Sequence, residues 1–152
     1  MSESGVDRPR PGAVTTAFLA LVTAVGFGVA EAGVHTVGQL GEPAADLGSV
    51  AGGLLVRAVI YTVVLGVAWR MLRGDRWARL MLTFGIGLIG SASLLVEPIA
   101  ALAAAGSIGG ALPDPTVENI LVVLTRVGHI CAVLVAIPAM YTPAARAWFR
   151  GR

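Results

Sequence analysis

The sequence predicts an all-α polytopic membrane protein, an antiparallel bundle of four transmembrane helices, and three observations predict it. Four apolar runs reach spanning length, the links between them are short and rich in turn residues, and the arginines gather at one end of the resulting hairpins. Of 152 residues, 56% are hydrophobic and only 13% charged, with a mean hydropathy of +0.81. A soluble domain carries about a quarter charged residues.

Crossing a hydrocarbon core of roughly 30 Å takes about 20 helical residues. The apolar runs cover about Ala13–Val34, Ser49–Trp69, Trp77–Ala105 and Pro115–Tyr141. Together they make one membrane domain, with 1–12 and 142–152 as tails. Gly38, Gly41, Pro43 and Gly48 mark the first link, Gly74-Asp75 the second, and Gly109-Gly110 with Pro113-Asp114-Pro115 the third. Links this short make successive helices antiparallel neighbours. Asp114 before Pro115 reads as a helix start, because a carboxylate accepts from free N–H groups and proline has none to leave unpaired. Ala30-Glu31-Ala32 resembles a signal-peptidase site, but the first run exceeds the roughly 7 to 15 residues of a signal core, so it is read as a retained span.

Basic residues in short links stay cytoplasmic. Arg8 and Arg10 precede the first run, Arg70, Arg73, Arg76 and Arg79 surround the middle link, and Arg146, Arg150 and Arg152 follow the fourth run. The other two links hold no basic residue and carry Glu42, Asp46, Asp114 and Glu118 nearby. Both termini are therefore expected in the cytoplasm of a bacterial cell, with the chain in the inner (plasma) membrane. Trp69, Trp77, Tyr141 and Trp148 fall at the same ends, where amphipathic rings favour the headgroup region. The sequence pI of about 9.3 does not point to nucleic acid, since the arginines flank apolar runs instead of forming a soluble basic face.

The second and fourth runs align without gaps, Leu55-Val56-Arg57-Ala58-Val59-Ile60 against Leu124-Thr125-Arg126-Val127-Gly128-His129. The first and third share Val29-Ala30-Glu31 and Leu95-Val96-Glu97. The chain can be read as two duplicated hairpins related by an axis along the membrane normal. Chance likeness among Val/Leu/Ala-rich helices explains the alignment equally well.

Ionisable groups inside spans cost about 2.5 to 3.5 kcal/mol each on insertion scales, so they are expected to face the bundle and pair. Counted from the arginine-rich ends, Glu31 and Glu97 lie at roughly 27 to 30 Å, and Arg57 and Arg126 at roughly 19 to 22 Å. Arginine can snorkel across most of that difference. One Glu/Arg layer near the outer face is expected, mainly a structural clamp, with a polar pathway as the functional alternative. Helical spacing puts Thr16, Ala20, Thr23 and Glu31 on one face of the first helix, and Gly53, Arg57 and Tyr61 on one face of the second. The third helix offers Thr83, Gly90, Ser93 and Glu97, and the fourth Asn119, Arg126 and His129. His129 reads as a structural hydrogen-bonding histidine before a proton carrier.

Cys131 is the single cysteine and reads as a small buried hydrophobe. The two histidines, His35 and His129, stand too far apart in depth for shared haem or metal ligation, so no cofactor is expected. No nucleophile elbow, phosphate loop or zinc motif is present. The expected role is a non-enzymatic integral membrane protein, with the lipid bilayer as partner and a second copy or another membrane protein as further partners. A small oligomeric transporter or proton-conducting protein using the Glu/Arg layer is the alternative, and an enzyme acting on lipid, built from Glu97, Arg126, His129 and Tyr61, is the third reading.

Arg73-Gly-Asp-Arg76-Trp77-Ala-Arg79 entering the third run, with Tyr141-Thr-Pro143-Ala-Ala-Arg146-Ala-Trp148-Phe149-Arg150 after the fourth, resembles small four-helix actinobacterial membrane proteins of unknown function. The resemblance covers mainly the second half. It implies fold and location, and it carries no catalytic or binding residue with it.

Overall fold

The computed structural model describes residues 9–107 and 115–150, apart from the side chains of Ser93 and Glu97. The fold is all-helical among these residues, and four helices are long and apolar enough to cross a membrane. They are α1 (Gly12–Leu40), α2 (Leu47–Leu72), α3 (Arg76–Ala105) and α4 (Val117–Met140), followed by a short α5 (Pro143–Arg150).

The ends of these helices are set by local chemistry. Pro11 opens α1, its carbonyl accepting from Val14 N–H at 3.0 Å. The helix runs past Val34 to Leu40 and stops at Gly41, whose N–H returns to Val37 and Gly38 carbonyls at 3.1 Å. Asp46 caps α2 by accepting from Gly48 N–H at 3.0 Å. After α2 the chain turns at Gly74, where φ is 89°, a left-handed value suited to glycine. Asp75 then caps α3 through Trp77 and Ala78 N–H groups at 2.9 and 3.3 Å.

Asp114 lies outside the described residues. The cap of α4 is Thr116, whose hydroxyl accepts from Asn119 N–H at 3.2 Å, so the helix begins at Val117 and not at Pro115. The tail after residue 141 carries a short helix. Thr142 accepts Ala145 N–H through its hydroxyl, Pro143 fills the first position of α5, and Ala145 and Phe149 bury one turn apart on one face.

Within α3, Thr83–Gly90 is wound as a π-helix and contains Gly85, Gly87 and Gly90. Beyond it, Pro98 sits inside the helix, which ends at Gly106 with φ 64°. A stretch this long with bonds reaching five residues back is rare, and such turns concentrate where a helix must reshape itself around a site.

The core sits at the arginine-rich end. Val14 and Leu21 of α1, Met71 of α2, Leu82 of α3, Met140 of α4 and Phe149 of α5 are all essentially inaccessible there and form one cluster. Phe18 meets Trp69 edge to face at 6.4 Å between centroids. At the far end Glu118 of α4 lies against Gly38 of α1, where a Cβ would fall 2.6 Å from a carboxylate oxygen. Residues ascend along α1 as their partners descend along α4: Ala24 with His129, Phe27 with Gly128, Glu31 with Arg126, Gly38 with Glu118.

The outward surfaces of the long helices are apolar: Leu19 and Val29 on α1, Leu55 and Val59 on α2, Leu88 on α3, Leu134 on α4. In water such a surface would associate indiscriminately, and against lipid it is the expected covering. Cys131, expected inside, is exposed on α4. The error is physical: beside lipid, an outward position is as apolar as an inward one, so hydropathy does not separate them.

Candidate functional site

Along α1 the buried Ala17 and Leu21 cluster with Ala136 of α4, and Ala24 clusters with Ala132. Small residues let two helices approach closely without a hydrophobic driving force. Thr16 and Thr23, placed on the inner face by the sequence reading, are exposed. Threonine polarity is a poor guide to an interior position, because the hydroxyl satisfies itself on its own helix. Thr36, Thr62 and Thr125 donate to the carbonyls of Ala32, Ala58 and Leu121 at 2.7, 2.8 and 2.9 Å.

Glu31, further along α1, reaches α4. Its Oε1 accepts from Arg126 Nε at 2.8 Å, with side chains only 12% and 21% exposed. His35, one turn further along α1, brings Nε2 to 3.7 Å from the same oxygen. The sequence reading weighed His35 only as a metal ligand, although its spacing of four from Glu31 was the available signal for this contact.

His129 lies one turn along α4 from Arg126, and its Nδ1 is 2.9 Å from the Ala24 carbonyl. A carbonyl only accepts, so Nδ1 carries the proton and donates. The contact ties α4 to α1 a second time. Asn119 stands in the first turn of α4, where its N–H completes the Thr116 cap.

Between α1, α2 and α3 lies a cavity of about 500 Å³. Glu31, Arg57, Tyr61 and His129 line it with apolar walls from Val64, Val67, Leu82 and Ile86. Tyr61 fits because Gly28 has no side chain: a Cβ there would lie 3.0 Å from the phenol oxygen. Arg57 makes no ion pair with any described residue. The structure thus brings Glu31, Arg57, Tyr61 and His129 to one cavity and joins Arg126 to Glu31, while the Glu97 side chain lies outside the described residues. The apolar walls and the π turn beside them were not foreseen, because nothing in an apolar run marks which residues border empty space.

Chemically, this arrangement is a cavity lined by one guanidinium, one phenol, one imidazole and a carboxylate that Arg126 already pairs. Compared with protein-family models, curated proteins and solved structures, the chain shows no significant match.

Proposed function

We propose that the chain is a non-enzymatic integral protein of the bacterial inner membrane, an antiparallel four-helix bundle with both termini cytoplasmic, whose Glu31–Arg126 pair clamps α1 to α4. The carrying observation is that pair, at 2.8 Å and largely screened from solvent. Charges in a low-dielectric setting are retained when paired, and losing one partner of a buried pair costs about 3 to 5 kcal/mol.

The orientation rests on Arg70, Arg73, Arg76, Arg79 and Arg146, which belong to the same end of the helices. Lipid is the first partner in this reading. The outward faces of α2 would also serve a second copy or another membrane protein in an accessory role. The hairpin duplication belongs here too, as two Glu-then-Arg hairpins related by an axis along the membrane normal.

A transporter or proton-conducting protein is the second reading, favoured by the cavity. Against it stands the buried cluster of Leu21, Ala68, Met71 and Leu82, which fills the arginine-rich end of the same chain.

Glu31→Gln, Arg126→Gln and the exchange Glu31→Arg with Arg126→Glu separate the two. The clamp predicts lower melting temperatures in detergent for each single variant and substantial recovery in the exchange. Single variants that melt like the parent but alter proton flux in vesicles would overturn the clamp in favour of conduction.

A further inference from the structure

We propose that the cavity between α1, α2 and α3 binds a single-chain amphiphile with an anionic head, of the long-chain carboxylate class, with Arg57 as its anchor. This goes beyond the clamp and rests on its Glu31–Arg126 pair, which leaves Arg57 without that carboxylate.

The charge balance points to an anion. Glu31 is already engaged by Arg126 at 2.8 Å and has His35 at 3.7 Å, so its carboxylate is answered. Arg57 borders the same cavity with no ion pair among the described residues. A guanidinium within a span that no described residue pairs is costly, and a carboxylate satisfies it in fork geometry. Tyr61, one turn along α2, offers a phenol beside it.

The distribution of polarity points to a tail. From Arg57 the cavity continues along α2 past Val64 to Val67, about 15 Å at the rise of an α-helix. Leu82 and Ile86 of α3 line it there. The buried Ala68, Met71 and Leu82 lie toward that end, away from Arg57. Its roughly 500 Å³ falls in the lower half of the range for ligand cavities, which suits one acyl chain better than the two of a phospholipid.

The π segment borders the cavity through Gly85, Ile86 and Gly90. A Cβ placed at Gly85 meets nothing within 4 Å. The same position therefore provides a plug that disturbs no neighbour at its first atom.

The test uses the full chain in phosphatidylcholine nanodiscs and a diazirine-bearing analogue of palmitate, with cross-links mapped by mass spectrometry. Labelling is expected on cavity peptides containing Val64 and Ile86, competed by palmitate but not by hexadecanol or acetate. Arg57→Gln should weaken it about tenfold, the loss expected for a charged hydrogen bond, and Arg57→Lys should retain most of it. Gly85→Phe should abolish labelling at an unchanged melting temperature. Labelling spread over outward residues such as Val59 and Leu88, equal competition by hexadecanol, or indifference to both Arg57→Gln and Gly85→Phe would each overturn the site. So would an Arg57→Gln variant that loses stability as Arg126→Gln does while labelling persists, because Arg57 would then be a helix clamp.

Discussion

The tip of the Phe27 ring occupies the space where a side chain at Gly128 would begin: a Cβ there would lie 2.5 Å from Cζ and 2.6 Å from Cε1. The contact falls between the His129–Ala24 and Glu31–Arg126 contacts, on the same two helices. Gly128→Ala should therefore push α4 from α1 or force Phe27 off its rotamer, at the roughly 1 to 3 kcal/mol typical of overpacking. Melting temperature in detergent checks this. Gly52→Ala, where a Cβ meets nothing within 4 Å, is the control and should be neutral or slightly stabilising. Phe27→Leu should recover part of the Gly128→Ala loss, and an additive double variant would show the two positions to be independent.

Arg79 lies between two rings, its guanidinium carbon 4.8 Å from the Tyr141 centroid and 5.0 Å from that of Phe149. Its Nε is buried without a hydrogen-bond partner among the described residues, so stacking, not hydrogen bonding, holds that atom in place. Arg79→Lys keeps the charge and loses the plane. It should loosen α5 by about 1 kcal/mol or more, the scale of one desolvated cation–π contact. Hydrogen exchange of the amides in Pro143–Arg150 measures this directly, and unchanged protection in Arg79→Lys would mean that Phe149 alone anchors α5.

The helices were legible because a membrane imposes a length: an apolar run either crosses or it does not. Turn chemistry placed the ends well where a carboxylate caps, as at Asp75, and poorly where helix continues through polar residues. Gln39 looked like a link, yet α1 runs on to Leu40, and Gly38, taken as a turn, lies inside the helix against Glu118. In the tail, Thr142-Pro143 is a helix start, and Ala145 and Phe149 share a face. Depth along a helix put Glu31 and Arg126 in one layer. Depth alone did not choose between Arg57 and Arg126 as the partner of Glu31, because partner choice depends on which helices touch.

Cys131 tests the side of α4 that hydropathy could not assign. It is exposed and lies in the middle of α4, so a membrane-embedded chain presents it to lipid. A bilayer-soluble maleimide should label it in proteoliposomes, and a permanently charged thiosulfonate should not. Labelling by the charged reagent would place water at that face and remove α4 from the lipid boundary.

Asp75 gives the protein a pH dependence at its arginine-rich end. The Ala78 N–H does most to hold its carboxyl below the ordinary carboxylate range, against some desolvation, and Arg70, with Nη2 at 2.9 Å, and the Trp77 N–H add to it. Because the folded carboxyl is the stronger acid, the unfolded chain takes up its proton first as pH falls. The contribution is therefore complete above the unfolded value of about 3.9 and is lost as pH drops through the lower folded one. Melting temperatures from pH 7 down to pH 3 should show this loss in the parent chain. Asp75→Asn keeps a cap acceptor but cannot titrate, so the gap between parent and variant should be constant at higher pH and close toward acid. High salt should leave most of the gap, since backbone N–H donors outweigh Arg70 in setting it. A gap that stays constant to pH 3 would mean that Asp75 titrates alike folded and unfolded, and that its cap does not depend on charge.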